Sequence, residues 1–348
     1  MTNRRALLTG LASALSASGD ARAQIETTGK KKHRKKGSGG SKVTPDPRPN
    51  IVLVIADDMR RGDWQALPQT RQRLSDCRWF DNFIINNPVC TPSRVTLLTG
   101  QYAHNHGVIR NAGDDSEAGY AAYVSEDLDR VALAPVMQKA GYATAMIGKF
   151  LNGYETSMAP ARGWTRWVGR ESMSYTDYSL RVDDEELEFS GQKNYLTDVL
   201  ADYACEFVRG VPVESPLYLY LGMAAPHPPS DPAKRHRNLY PDAAVPRTEA
   251  FNDAEVSDKP EKIARNPLLT GEQIAQLDLL QRKRLQTMAA LDEGIVKVLD
   301  TLRETGRLDN THVIIMSDNG LLMGEHRVFA NKGLPYDPAI RIPMLAWG

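Results

Sequence analysis

Cysteine is scarce in this chain: Cys77, Cys90 and Cys205 are the only three among 348 residues. Three thiols cannot build the disulfide framework of a small secreted scaffold. A Cys77–Cys205 bridge is left open, but nothing in the sequence requires it, and free buried thiols are the default for both. There is no CxxC or HExxH pattern, so the usual soft-metal signatures are missing. No stretch approaches the roughly 20 uninterrupted apolar residues that a membrane-spanning helix needs. Neither sign of charge dominates, with 43 basic and 43 acidic residues.

That balance hides an asymmetry. Residues 1–42 hold ten Lys or Arg and two acids, a net +8, which leaves 33 basic and 41 acidic residues, a net −8, in the rest. An acidic body argues against nucleic acid as the main partner. Arg4 and Arg5 precede a mildly apolar stretch, Ala6 to Ala17, and Ala21-Arg22-Ala23 has the small-x-small form of a cleavage site. These features predict an export signal over residues 1–23, similar to a twin-arginine signal, and hence a periplasmic or extracellular protein. Residues 24–48, rich in Lys, Gly, Ser and Pro, predict a basic disordered linker. The run Lys30–Lys36 has no aromatics and reads as a solvated tail.

The folded region is predicted over residues 49–348. Ile51–Ile55 is a continuous apolar, β-branched run, the pattern of a strand buried on both faces. Similar runs recur at Tyr142–Ile147, Leu217–Met223 and Val313–Met316. Helical patterns lie between them, at Leu196–Val208 and in the stripe Met288, Leu291, Ile295, Val298, Leu302. Strands alternating with helices predict an α/β fold around a largely parallel sheet. Residues 224–270 are Pro-rich and irregular, and a connection that long is usually functional.

The residues just after each strand carry the chemistry. Ile51–Ile55 leads to Asp57-Asp58, Tyr142–Ile147 to Gly148-Lys149, Leu217–Met223 to Ala225-Pro226-His227, and Val313–Met316 to Asp318-Asn319. In open α/β sheets ligands bind beyond the carboxyl ends of the strands. Parallel strands would therefore gather these groups at one edge. Asp57, Asp58, Asp318 and Asn319 are hard oxygen donors, a set suited to Ca²⁺ or Mg²⁺. One Asp after a strand is ordinarily a turn or capping residue, and it is the two pairs together that point to a cation. Cys90-Thr91-Pro92-Ser93-Arg94 precedes a short apolar segment that ends at Gly100. Pro92 suits a first helical turn and Gly100 a helix end, which predicts a helix over Arg94–Thr99 with Cys90 near its anion-favouring N-terminus.

The pentapeptide Cys90-Thr91-Pro92-Ser93-Arg94 resembles the signature of the type I sulfatases, members of the alkaline-phosphatase-like superfamily. The resemblance extends through Pro49–Asp58, Leu98–Gly107, Gly141–Lys149 and Ser317–Gly320 in the family's order. Gly148–Asn152, Asn194–Leu200 and Ala225-Pro226-His227 are similar to the N-acetylglucosamine-6-sulfatase group. The resemblance implies a sulfuric ester hydrolase in which Cys90 is oxidised to formylglycine by a formylglycine-generating enzyme. Hydrated formylglycine would attack sulfur and later eliminate sulfate. It further implies Ca²⁺, with Mg²⁺ as the alternative, on Asp57, Asp58, Asp318 and Asn319. Arg94 would hold the formylglycine, Lys149 and Lys332 would bind sulfate oxygens, and His227 would protonate the leaving alcohol or hold a sulfate oxygen. The substrate would be a sulfated small molecule or sulfated glycan. His104, His106 and His326 are further candidates for the cleft wall.

Two departures stand out. Leu151 occupies the position where many sulfatases carry a histidine, which leaves the group that deprotonates the diol unassigned. The sequence also ends inside the apolar run Pro343–Trp347, where relatives continue into a smaller C-terminal domain, so the catalytic domain is expected to be truncated. Two rival readings remain: a phosphonate monoester or phosphodiester hydrolase with the same signature, and a non-catalytic, truncated domain that binds anionic glycans.

Overall fold

Asn50–Ala56 forms the first strand, β1, with every residue but Ile51 buried. Val52, Val54 and Ala56 enter the core on one face of the sheet, while Leu53 and Ile55 enter the core on the other. A strand covered on both faces needs apolar residues at every position, which is why its sequence shows no polar alternation. The remaining strands are β2 (Arg78–Trp79), β3 (Ala143–Gly148), β4 (Arg166–Arg170), β5 (Tyr178–Val182), β6 (Glu185–Phe189), β7 (Leu217–Gly222), β8 (Thr311–Ser317) and β9 (Met344–Trp347). β1, β3, β7 and β8 coincide with the four predicted strands to within two residues at each end.

The computed structural model describes residues 46–111, 118–171 and 173–348. The predicted export signal and all but residues 46–48 of the predicted linker lie outside the described residues. Among the described residues, no helix is long and apolar enough to cross a membrane. They belong to one compact unit, Val43–Gly348.

The strands form one sheet in the order β2-β9-β8-β1-β7-β3-β4-β5-β6. β8, β1, β7, β3 and β4 are parallel neighbours. Antiparallel pairings extend the sheet at both ends, β9 and β2 beyond β8, and β5 and β6 beyond β4. The α/β fold with a largely parallel sheet is therefore present; β9 falls within the apolar run Pro343–Trp347 read from the sequence, while β2, β5 and β6 are strands that the sequence pattern did not suggest. β5 and β6 form a hairpin turning at Asp183-Asp184, and the charged outer strand Glu185–Phe189 discourages further pairing.

Helices cover both faces. On one side lie Leu196–Gly210 and the 34-residue helix Gly271–Glu304. Thr270 and Gln273 form a capping box that starts the longer helix. Its predicted stripe, Met288 to Leu302, is buried against the sheet, each Leu or Ile contributing about 1.5–3 kcal/mol of burial energy. The opposite face is covered by the helix Cys90–Thr99, through Val95 and Leu98, and by an aromatic cluster around Phe150. There Phe150 meets Tyr123 and Trp167 edge-on, at 5.6 and 5.1 Å between ring centres.

The sheet order determines what meets at the site. β8, β1, β7 and β3 lie side by side with Ala56 opposite Ser317, Ile55 opposite Gly222, and Gly148 opposite Gly222. Their carboxyl ends therefore deliver Asp318, Asp57-Asp58, His227 and Lys149 to one edge. The close approach of β3 and β7 depends on glycine. A Cβ on Gly148, at φ +100°, would sit 2.1 Å from the Gly222 carbonyl oxygen, and a Cβ on Gly222 would sit 2.2 Å from that of Lys149.

Candidate active site

β1 runs out at Ala56, and the next two residues turn sharply. The Asp57 N–H donates to the Ala225 carbonyl at 3.1 Å. Asp58 adopts φ 66°, a left-handed conformation uncommon for a residue with a side chain. Its N–H donates to Asp318 Oδ1 at 3.1 Å, and the Met59 N–H donates to Ser317 Oγ at 2.8 Å. From below, Arg284 of the long helix donates to the Asp58 carbonyl and to Asp63 Oδ2, each at 2.7 Å. The turn is thus fixed by groups from β8 and from the helical layer, the kind of surroundings that hold a strained residue in place.

Cys90 opens its helix, one turn earlier than the Arg94–Thr99 span predicted, and Gly100 closes it in the left-handed conformation. The Thr91 N–H donates to Asn111 Oδ1 at 2.8 Å, and the Thr91 hydroxyl lies 3.0 Å from both Asn152 Oδ1 and Asn152 N. These contacts anchor the first turn and point Cys90 inward. Its sulfur is fully buried, 3.4 Å from Asp57 Oδ1, 3.8 Å from Asp58 Oδ1 and 2.7 Å from Lys332 Nζ. Burial pushes the Cys90 thiol well above its usual value, and Asp318 adds to that shift.

Four cations face this acidic turn. Lys149 Nζ lies 2.6 Å from Asp57 Oδ2, Lys332 Nζ pairs with Asp58 Oδ1, and Arg94 Nε lies 2.8 Å from Asp318 Oδ2. Arg94 also donates to the Lys149 carbonyl at 2.8 Å and to Tyr220 Oη at 3.2 Å. Arg170, buried on β4, is the fourth; burial pulls it below the usual arginine value, against the pull of the nearby Asp57 carboxylate. Burial opposes ionisation of Asp57, yet Lys149, His227 and Arg94 hold its carboxyl well below the usual range. Asp58 is lowered in the same way, by Lys332 and His227 against burial. Burial works against the Lys332 ammonium too, but Asp58 and Cys90 hold it well above the usual lysine value.

His227 places Nε2 3.6 Å from Asp58 Oδ2, with Nδ1 2.6 Å from the Pro228 carbonyl. The carbonyl can only accept, so Nδ1 carries a proton and Nε2 is the atom turned toward the site. Burial pulls His227 below the ordinary histidine value, against the pull of Asp57 and Asp58.

The donor set fits a hard divalent cation. Asp57, Asp58, Cys90 and His227 each put one ligand-type atom within 4.8 Å of the others. Asp318 joins through its contacts with the Asp58 N–H and Arg94. Asn319 Nδ2 donates to Asp58 Oδ1 at 2.6 Å, and Asn319 Oδ1 is buried without a protein partner. An acceptor left over beside carboxylates is what an oxygen-ligated ion would satisfy. The carboxylates are not left uncompensated, since Lys149, Lys332 and Arg94 pair with one each. Carboxylate crowding alone is thus a weaker argument for an ion than the sequence suggested.

All nine predicted site residues converge here, and several others escaped the sequence reading. Tyr175 is buried with its hydroxyl on the Ala224 and His227 carbonyls, at 3.1 and 2.9 Å, and braces the loop that carries the imidazole. Arg170, Arg284, Asn111 and Asn152 act at similar range. Only Asn152 had a signal, its place three residues after Lys149. Leu151 is packed in the aromatic core and brings no titratable group. His106 is buried with its ring on Thr96 Oγ1 at 3.1 Å and on the Val108 N–H. His104 is exposed and stacks on Tyr102, and His326 packs against Tyr336. His326 Nδ1 also lies 3.5 Å from Asp253 Oδ2, and among the described residues none of the three histidines contacts Cys90, Asp57, Asp58 or Asp318. Cys77, Cys90 and Cys205 are all free thiols, so the bridge left open by the sequence is not formed.

Comparison with known proteins identifies the family. The extracellular sulfatase SULF-1 homologue of Drosophila melanogaster is 30% identical over 323 residues, which cover 90% of this chain and 28% of that protein. The N-acetylglucosamine-6-sulfatase of Capra hircus is 30% identical over 316 residues, 86% of this chain and 56% of that protein. The chain thus spans about half the length, or less, of these curated relatives. A solved structure of a protein in complex with its substrate D-glucosamine-2-N,6-O-disulfate shares the fold, with a TM-score of 0.66 at 23% identity over 86% of this chain and 71% of that one. The sulfatase family model matches residues 49–348, the whole region that carries the sheet, the Cys90 turn and the acidic cluster, and the chain belongs to the sulfatase family.

Proposed function

We propose that this protein hydrolyses sulfate esters at the Cys90 site. The observation that carries the reading is the surroundings of the Cys90 sulfur, which lies buried at a helix N-terminus between Asp57 at 3.4 Å and Lys332 at 2.7 Å. Oxidised to formylglycine, this residue supplies an aldehyde whose hydrate is an oxygen nucleophile. Asp57, Asp58, Asp318 and Asn319 would hold a divalent cation, with Ca²⁺ the best match to an all-oxygen set, and it would supply positive charge toward sulfate oxygens.

The chain's own groups do the rest. Arg94 locks Asp318 and the Lys149 backbone into one frame and so orients the nucleophile turn. Lys149 and Lys332 bring ammonium groups that bind sulfate oxygens and stabilise charge as the S–O bond breaks. His227 keeps Nδ1–H on the Pro228 carbonyl and turns Nε2 toward the site, and in its doubly protonated form Nε2–H would give the leaving alcohol its proton. The low exposure of Cys90, Asp57 and Asp58 excludes water and strengthens each of these interactions.

A sulfated sugar is the substrate class favoured by the likeness to an N-acetylglucosamine-6-sulfatase. Likeness to an extracellular sulfatase supports an exported protein, matured by a formylglycine-generating enzyme. The test is paired turnover of an aryl sulfate and a phenyl phosphonate, together with the mass of the peptide that holds Cys90. We expect sulfate to be preferred and the peptide to be lighter by about 18 Da, the change from thiol to aldehyde. Preference for the phosphonate would favour the phosphonate monoester hydrolase reading.

A further inference from the structure

The loop from Gly324 to Gly333 forms one wall of a second cavity, of about 340 Å³, beside the Cys90 site. That volume lies within the range of small-ligand sites. Its lining holds three cations, Lys262, Arg327 and Lys332, three amides, Asn266, Gln273 and Asn331, and no carboxylate. The larger cavity near Arg60 is different: there Arg60, Arg61 and Arg341 are each paired with an acid, Glu325, Asp81 and Asp337.

Among the described residues, no carboxylate lies within ion-pair distance of Lys262 or Arg327. Arg327 is fixed instead by neutral groups. Its Nε, Nη1 and Nη2 donate to the carbonyls of Asp253, Asn266 and Ala254 at 2.8, 3.0 and 2.8 Å. Carbonyls orient a guanidinium without cancelling its charge. The loop is held in an uncommon shape, with His326, Arg327 and Ala330 all at positive φ. Lys332 connects the two places, since it lines this cavity and its ammonium lies 2.7 Å from Cys90 Sγ.

From the two cations that no described carboxylate pairs with, Lys262 and Arg327, we infer that the cavity is a subsite for a second anionic group, sulfate or carboxylate, on the same substrate molecule whose ester is cleaved at Cys90. The inference rests on the sulfatase reading of the Cys90 site and narrows its substrate class to saccharides with at least two anionic groups. Lys262 and Arg327 receive the second anion, the amides accept and donate to neighbouring hydroxyls, and Lys332 stays with the reacting group.

Lys262→Glu is the informative variant, because Lys262 is exposed and makes no ion pair among the described residues whose loss would unfold the chain. Asn266→Asp adds a second negative charge to the same wall at constant size. The matured enzyme is assayed on a disulfated disaccharide, its monosulfated counterpart and an aryl sulfate. Each variant is expected to raise KM for the disulfated compound about tenfold, the scale of one charge-assisted contact, with kcat and the aryl sulfate constants unchanged. Binding of the disulfated disaccharide to the Cys90→Ala protein, measured by calorimetry, should weaken by the same factor, and added salt should narrow the difference. Equal KM shifts on all three substrates, or none, would overturn the subsite. So would a Lys262-dependent heat from inorganic sulfate alone with equal binding of the mono- and disulfated compounds, because the cavity would then hold a free anion. Absence of turnover on every ester would instead count against the sulfatase reading, and the calorimetric comparison would still judge the subsite.

Discussion

Arg94 and Asp318 form a fully buried ion pair, Nε to Oδ2 at 2.8 Å, that ties the nucleophile helix to the end of β8. Both side chains are inaccessible to water, so removing either leaves the other charged in a low-dielectric interior. Arg94→Met is expected to destabilise the fold by about 3 kcal/mol, the scale for breaking a buried pair from one side. Arg94→Lys should recover little, because a lysine cannot also reach the Lys149 carbonyl and the Tyr220 hydroxyl in the same fork. Urea denaturation of both variants measures this, and a stability loss near zero would contradict it.

Cys90→Ala should fold and fail to turn over. The lost sulfur leaves only a small void, about 1 kcal/mol, while removal of a nucleophile lowers kcat by at least about 10³-fold. Thermal unfolding near the parent midpoint, with no aryl sulfate hydrolysis, is the expected pair of results. Full activity in this variant would remove Cys90 from the chemistry.

Native-state thiol labelling reports the environment of Cys90 in protein that has not been matured. A thiol raised above its usual value has less thiolate at any given pH, and burial raises Cys90 in this way. Cys205 is also buried and raised, and Cys77 is raised but partly exposed. Iodoacetamide should therefore label Cys77 first, and Cys90 and Cys205 only in denaturant. Peptide mass spectrometry reads the order, and fast labelling of Cys90 in the folded chain would contradict this burial.

Chelation should abolish turnover, and Ca²⁺ or Mg²⁺ should restore it. Ion binding to the folded state alone also stabilises the protein, by about 2.7 kcal/mol at a hundredfold excess over Kd. A rise in the unfolding midpoint on adding Ca²⁺ to chelated protein checks this apart from activity. Recovery with Zn²⁺ alone would contradict the oxygen-donor assignment.

Gly148→Ala tests how Lys149 is delivered to the site. The new methyl would meet the Gly222 carbonyl oxygen at 2.1 Å in a backbone conformation that alanine rarely adopts. A loss of about 2–3 kcal/mol in stability is expected from the strain and the clash together. Turnover should fall as well, because the shift moves Lys149 Nζ from Asp57. Parent-like stability and kcat would show that β3 and β7 separate easily.

The amino-acid sequence by itself determined the central strands and the chemical types at their ends. Continuous apolar runs leave few alternatives to a sheet covered on both faces, and Asp57-Asp58, Gly148-Lys149, His227 and Asp318-Asn319 come directly after those runs. Cys90-Thr91-Pro92-Ser93-Arg94 is likewise a local pattern whose family resemblance is legible without coordinates. Only the tertiary structure decided which groups touch. Arg284 reaches the Asp58 carbonyl across 226 positions, and Lys332 reaches Cys90 across 242. Arg170 and Tyr175 come from polar segments with no periodic signal. Their pairing depends on the β3-β4 neighbourhood and on the path of the 224–230 loop, both set by packing of distant segments. The excess positive charge of the Lys262–Arg327 cavity has the same origin. Lys262 and Arg327 are ordinary in sequence, and their standing outside ion-pair distance of any described carboxylate arises from where the folded chain places the acids, whereas Lys332 is paired with Asp58.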